Sequence, residues 1–537
     1  MAVAFNAQTW LVDRHVDAGR RDHVAVRGTS TLTYGELAGL SAHVAAGLRS
    51  MGLRRDDRVL FVMNDDVPML AGVLGAFRAG FVAVPVSTML GGHELAHIVA
   101  DSGASVLVAS AEYADACVTA AASAPELRHL VVDAETPLAT PVGVAASTWS
   151  ELVRTGAEAP MEQRGAAPTT EDAWALWLYT SGTTGSPKGA MHRHANIRHV
   201  CETYGAQVLG ITPEDSCLSV AKLFFAYGIG NSVFFPLSVG ATTVLEPRRP
   251  TPAVIRERVQ QDRPTLFFGV PTFYATLLAG DLPEDTFASV RLGTSAGEPL
   301  PDGLQKRFAA RFGVEIIDGI GSTEALHIFL SNRPGKVRPG TTGVPVPGYA
   351  IELRDAAGNV VQDGTPGALH VRGESIAQGY WRRTEASRTV FVGEWLNTGD
   401  TYVRFADGSY TCLGRSNDLL KAGGIWVSPA EVESRLLEHP AISEVAVVAR
   451  TDPSGLDKPV ACVVASSPVT ADELIQWCRD GLASFKRPRA VVFVDELPKT
   501  ATGKMQRFKV REFVAQLDLE QSTAAERLTS PSPGVLS

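Results

Sequence analysis

The sequence predicts an α/β protein: a large N-terminal part built on doubly wound sheets, a short β-rich stretch, and a compact α+β unit at the C-terminal end. Three observations predict it. Apolar runs alternate with amphipathic stretches through the first third, the rhythm of a parallel sheet covered on both faces. From Gly343 to Thr411 the pattern shortens to strands separated by turns such as Asp355-Ala356-Ala357-Gly358 and Ala406-Asp407-Gly408. After Gly414-Arg415 comes a unit of about a hundred residues, a common domain size. With 537 residues the chain exceeds one compact core.

The elements follow in order. His23 to Arg27 and Ser30 to Thr33 read as a hairpin. Thr33, with Glu36 three residues on, opens a helix through a capping box. Arg58 to Met63 is a buried strand, Val67 to Ala79 a helix and Phe81 to Val86 a strand. Leu95 to Asp101 is helical and Ser105 to Ala109 again a strand. Ala139 to Thr170, rich in Ala, Pro, Thr and Gly, is expected to run over the surface. Leu223 to Leu245 is uncharged and long enough to span a bilayer. Its Gly, Asn and Pro residues instead favour a buried helix, a turn near Pro236 to Gly240, and a strand through Ala241 to Leu245. In the last unit, strands are expected at Val445 to Val448, Val460 to Val464 and Ala490 to Phe493. Helices are expected at Pro429 to Glu438 and Ala471 to Leu482.

Composition narrows the function. A net charge of −9 without a basic block argues against nucleic acid as the main partner. Residues 1–14 carry no secretion signal. The six cysteines have no metal-finger or redox spacing, as expected of reduced thiols in a cytoplasm. His192 and His194 flank Arg193 but fall short of a zinc ligand set.

The most informative stretch is Thr180-Ser181-Gly182-Thr183-Thr184-Gly185-Ser186-Pro187-Lys188-Gly189, after the apolar run Trp174 to Tyr179. Glycines let backbone N–H groups converge on an anion, hydroxyls add donors and Lys188 adds charge, so a phosphate-binding loop is expected. Five further segments follow: Ser295-Ala296-Gly297-Glu298-Pro299, Gly319-Ile320-Gly321-Ser322-Thr323-Glu324, Thr398-Gly399-Asp400, Leu413-Gly414-Arg415 and Pro498-Lys499-Thr500-Ala501-Thr502-Gly503-Lys504. In this order they resemble the acyl-adenylate-forming superfamily, which includes acyl-CoA synthetases. The resemblance covers about Ala173 to Arg507.

The resemblance implies a large N-terminal domain, 1–416, with doubly wound sheets and a small β-barrel-like subdomain. It also implies a small mobile α+β C-terminal domain, 417–523, and the tail 524–537 is expected to be disordered. It implies ATP, Mg and coenzyme A, and assigns roles. Thr180, Ser181, Gly182, Thr183, Thr184, Gly185 and Lys188 hold the β- and γ-phosphates; Thr323 contacts the α-phosphate; Glu324 is the magnesium ligand. Gly297, Glu298 and Pro299 lie on one side of the adenine, Asp318 and Gly319 on the other. Asp400 and Arg415 reach the ribose. Lys504 bridges carboxylate and α-phosphate in the first half-reaction. For the second, the small domain rotates and Gly423 and Gly424 guide the thiol; Lys486 and Arg487 are candidates for a cationic patch at the coenzyme A 3′-phosphate, which would distinguish coenzyme A from a carrier protein. The usual pivot position is Asn417, followed by Asp418, a departure from the family's common Asp or Lys.

Lys222 to Asn231 and Gly319 to Phe329 resemble the benzoate-CoA ligase branch. That match implies an aryl pocket of Ala226, Tyr227, Ala296, Gly321, His327 and Ile328. Phe224, Phe225 and Phe329 are expected to be core. The expected enzyme is a stand-alone ligase acting on benzoate or a small substituted benzoate. Two alternatives stay open: transfer to the phosphopantetheine of an acyl carrier protein, and a non-catalytic acyl-adenylate sensor. Ring substituents, pathway and oligomeric state are not legible.

Overall fold

The structure is a computed structural model and describes residues 3–181, 187–415, 420–422, 425–451, 457–484, 486–499 and 505–517. The chain forms two compact units. Met1–Ile351 and Val371–Asn397 make the first, and Glu352–His370 with Thr398–Ser537 the second. The boundary expected at 416/417 and the tail 524–537 lie outside the described residues.

Two sheets organise the first unit. One has the order Ala145–Thr148, His129–Asp133, Val106–Ser110, Arg58–Val62, Val82–Pro85, Trp174–Ser181, Pro187–Arg193, parallel except for its last pair. Its central strands Arg58–Val62, Val82–Pro85 and Val106–Ser110 are almost wholly buried and read as continuous apolar runs, as strands covered on both faces should. The other has nine strands, parallel from Ile316–Gly321 to Val24–Arg27 with antiparallel pairs at both ends.

Local signals set the helices. Tyr34–Ser50 starts at the Thr33/Glu36 capping box. Val67–Ala79 starts at Asp66, whose carboxylate accepts from Val67 N, and stops at Gly80, where φ is +77°.

Two expectations are corrected. The stretch Ala139 to Thr170 contains the edge strand Ala145–Thr148 and the helix Trp149–Glu158, opened by a Thr148/Glu151 capping box. That helix packs against Tyr34–Ser50 at glycines: a Cβ on Gly156 would lie 1.7 Å from the His43 carbonyl oxygen, and one on Gly47 2.3 Å from that of Leu152. The turn expected near Pro236 to Gly240 narrows to Gly240. Helix continues through Ala226–Ile229, a π-helical turn at Gly230–Phe234 and Phe235–Val239, ending at Gly240 with φ +83°. Pro236 falls just after the wide turn, where its missing N–H interrupts no regular ladder. Among the described residues no helix is long and apolar enough to cross a membrane.

In the second unit Asp400 to Arg404, the end of the strand Trp395–Arg404, pair antiparallel with Tyr410–Arg415. Further on, Ile442–Thr451, Asp457–Ala465 and Ala490–Phe493 form a three-stranded sheet. Alternation splits its side chains. Val445 and Val447 join Val432, Leu436 and Leu474 on one face, while Ala446 and Val448 join Val510 and Val514 on the other. Buried Glu433 ties the faces together, accepting from Val447 N at 2.7 Å and from Arg507 at 2.8 Å.

Candidate active site

The phosphate-loop segment is a hairpin. Trp174–Ser181 runs out and Pro187–Arg193 returns, with Thr180 opposite Lys188 and Tyr179 opposite Gly189. Lys188 therefore stands on a strand and not in the loop, as the sequence had suggested. The extended backbone of the return strand is held on its other side by Met191 N to the Gly379 carbonyl, Gln378 N to the Met191 carbonyl and Trp381 N to the Gly189 carbonyl. Gly182, Thr183, Thr184 and Gly185 lie outside the described residues, as does the side chain of Ser181.

Lys188 Nζ lies 5.6 Å from the centroid of the Tyr380 ring. Tyr380 Oη in turn donates to Glu324 Oε1 at 2.5 Å. Lysine, aromatic ring and carboxylate thus form one chain, with Glu324 half-buried. The peptide around Glu324 is pinned as well. Ala377 N donates to the Glu324 carbonyl at 2.7 Å, and Ser375 Oγ to the Ala325 carbonyl at 2.7 Å. Tyr349 Oη meets Ser375 Oγ at 2.6 Å. His192 Nε2 lies 2.8 Å from the Thr323 carbonyl. Leu326 has φ +67°, an uncommon state for a residue with a side chain, and separates Thr323-Glu324 from His327-Ile328. Among the described residues no cluster of three or more His, Cys, Asp or Glu fits a metal. The Glu324 carboxylate is the kind of oxygen donor that a hard cation such as magnesium takes.

On the side expected for adenine, Gly297 has φ +91°. Asp318 sits opposite Ser295 on adjacent parallel strands. Burial pushes its carboxyl well above the usual carboxylate range. The Ser295 side chain and the Gly319 backbone, both beside that carboxyl, oppose the rise.

Of the expected aryl residues, Tyr227 and Gly321 pack against His327. Its ring centroid is 4.5 Å from that of Phe235, 5.4 Å from Tyr204 and 5.5 Å from Tyr227. Burial lowers His327 to about 3, so the imidazole is neutral. Its Nε2 faces Asn231 Oδ1 at 3.2 Å and the Tyr227 carbonyl at 3.3 Å. Tyr227 Oη lies 2.6 Å from Thr294 Oγ1 and 3.2 Å from the Gly269 carbonyl, so its hydroxyl is engaged within the protein. Space is tight: a Cβ on Gly230 would be 2.2 Å from His327 Cδ2, and one on Gly321 2.5 Å from the His327 carbonyl oxygen. Ala226, Ala296 and Ile328 are buried, as are Phe224 and Phe329, whereas Phe225, expected to be core, is only half-buried.

In the second unit Asp400 and Arg415 are register partners joined by an ion pair of 3.0 Å, and Arg415 Nη1 also donates to the Thr398 carbonyl. Lys486 is paired with Glu431 at 2.6 Å. Lys504, Gly423, Gly424, Asn417 and Asp418 lie outside the described residues. Around them, Lys499 forms a bridge with Met505, and Ala422 pairs with Ile425.

Sequence reasoning missed Asn196, Ser375, Ala377 and Tyr380. None stands in the segments that carried the resemblance; the nearest local signal was the short motif Gly379-Tyr380-Trp381, which was not singled out.

Lys188 and Glu324 are thus joined through Tyr380, and Glu324 stands close in sequence to His327 and its buried ring cluster. The chain belongs to the AMP-binding enzyme family, whose domain matches residues 12–381, with the family's C-terminal domain at 431–504. It is 43% identical to a benzoate–CoA ligase of Thauera aromatica, over 94% of this chain and 96% of that one. It is 41% identical to a 4-hydroxybenzoate–CoA/benzoate–CoA ligase of Rhodopseudomonas palustris, over 95% and 94%. The crystal structure of a benzoate CoA ligase from Burkholderia xenovorans superposes with a TM-score of 0.85 at 44% identity, covering 94% of this chain and 100% of that one.

Proposed function

We propose that the protein is an AMP-forming aryl-CoA ligase acting on benzoate or a small substituted benzoate. A carboxylate oxygen of the acid attacks the α-phosphorus of ATP and the bond to pyrophosphate breaks. The sulfur of coenzyme A then attacks the acyl carbon, the bond to AMP breaks, and the thiol proton passes to solvent. The observation that carries this reading is the continuity of Thr323 to Ile328. One short turn carries Thr323 and Glu324 beside the Lys188 strand and His327 and Ile328 beside the ring cluster, which supports a nucleotide and an aromatic ring being held by the same backbone. The relatives named above act on the same class of acid by their names.

The residue roles follow. Thr180 to Gly185 and Lys188 cradle the outer phosphates, and Thr323 meets the α-phosphate. Magnesium, when bound, neutralises phosphate oxygens, and Glu324 would hold it. Gly297, Glu298, Pro299, Asp318 and Gly319 flank the adenine, and Asp400 and Arg415 take the ribose. Lys504 places a compact positive charge between the reacting oxygens. Gly423 and Gly424 leave room for the pantetheine arm, with Lys486 beside it. Asn417 and Asp418 serve as the hinge between the domains 1–416 and 417–523.

Pyrophosphate release across a panel of acids, with mass spectrometry of the product formed with coenzyme A, tests the whole reading. Benzoate should exceed phenylacetate and octanoate, and the product should be the coenzyme A thioester. A preference for octanoate would overturn the aryl assignment, and an adenylate that never passes to coenzyme A would overturn the acceptor.

A further inference from the structure

We propose that His192, set by Asn196, is a positioning residue for adenylation that fixes the Thr323–Glu324 peptide relative to the strand bearing Lys188. The inference rests on the ligase reading above.

The hydrogen-bond roles are determined by the network. Asn196 turns one group toward the Ser375 carbonyl at 2.9 Å, the Ile376 carbonyl at 3.3 Å and His192 Nδ1 at 3.0 Å, and only the amide NH2 can donate to the two carbonyls. Its other end accepts from Arg193 Nε at 3.1 Å, as the amide oxygen must. With Nδ1 an acceptor, the imidazole proton sits on Nε2 and is donated to the Thr323 carbonyl at 2.8 Å. His192 and Asn196 are fully buried. Solvent therefore offers no substitute donor, and a lost bond is not repaired by water.

Position turns this bond into a spacer. Along an extended strand alternate residues share a face, so Lys188, Ala190 and His192 point the same way. Lys188 stands over the Tyr380 ring, Ala190 bridges to Tyr380, and His192 reaches Thr323. Lysine and carboxylate segments are thus clamped at two points along one strand. The same Thr323 carbonyl also accepts from Leu326 N at 3.2 Å, closing the turn in which Leu326 is held at φ +67°. A left-handed residue with a side chain persists only where its surroundings over-determine it, and the His192 bond supplies part of that constraint.

The test uses the full chain with His192→Phe and His192→Gln. Pyrophosphate release with benzoate reports adenylation, and thioester formation from supplied benzoyl-AMP reports the second half-reaction and the folded state. His192→Phe should lower kcat for pyrophosphate release by about tenfold to a hundredfold, the scale of one buried hydrogen bond. The KM for benzoate and the second half-reaction should stay near wild type. Glutamine carries an amide N–H about where Nε2 lies, so His192→Gln should recover most of the rate. Undiminished adenylation in the phenylalanine variant would overturn the inference, as would equal loss of both half-reactions or a glutamine variant no better than phenylalanine. If the wild type releases no pyrophosphate with any aryl acid, the ligase reading falls and the inference with it.

Discussion

The two sides of Leu326 are built differently. Thr323 and Glu324 are held by directional bonds from distant segments: His192, Ala377 and Tyr380 each supply a donor. His327 and Ile328 are held mainly by ring packing and close glycine contacts. Hydrogen bonds fix position to a fraction of an ångström, as charge stabilisation in a transition state demands. Packed walls fix volume, which is what selecting a ring requires. The difference teaches that rate and choice of acid are separable in this turn even though a single peptide joins them.

Perturbations should break or sharpen that separation. The largest effect belongs to neither side. Lys504→Ala should lower adenylation by about a hundredfold to a thousandfold, the scale of one lost transition-state charge contact. Thioester formation from supplied benzoyl-AMP should remain, and equal loss of both half-reactions would contradict the assignment. Next comes the packed side: Ile328→Ala should raise the kcat/KM of bulky ring-substituted benzoates relative to benzoate, by about 10- to 200-fold. An unchanged ratio would remove Ile328 from the pocket. On the bonded side, Tyr380→Phe deletes only a hydroxyl. It should slow pyrophosphate release by about tenfold for every acid, leaving the ratio between acids constant. A shifted ratio would show that the two sides are coupled.

The smallest effect concerns pH. Burial lowers His192 to about 4 and His327 to about 3, one on each side of the turn. Both are neutral when folded and take up a proton near 6.5 when unfolded. Stability is therefore full above 6.5 and falls as pH drops from there toward 4, by about 1.4 kcal/mol per pH unit for each group. The Tm should decline over that window, and His192→Gln should make the decline shallower. An identical slope in the variant would exclude His192 as a contributor.

How much of this was legible depended on the range of the signal. The helix Val67–Ala79 was readable to the residue, from its apolar content and the breakers at either end. Glu324, Lys188 and Asp400 stand in short motifs and were named at once. The helix Trp149–Glu158 was missed because the surrounding stretch is rich in small residues that resemble a loop; what favours its packing is the absence of a Cβ at Gly156, a fact about a neighbouring helix. His192 was noticed only as half of an incomplete metal pair. Its partner carbonyl lies 131 residues away, and no local pattern encodes such a bond. Side chains that do chemistry leave motifs, whereas those that hold them in place act across the tertiary fold.

Tyr227 carries a last consequence. Its hydroxyl is engaged by Thr294 and Gly269, so on the proposed reading what it would offer an incoming acid is carbon. A site that reads a ring hydroxyl with its own polar group rejects the unsubstituted acid by about 10⁴- to 10⁵-fold, while a hydrocarbon wall discriminates about 10- to 200-fold per methylene. On the ligase reading, fidelity at this wall is graded and not absolute. In a mixture of small aromatic acids, the spectrum of thioesters made would follow supply as much as recognition.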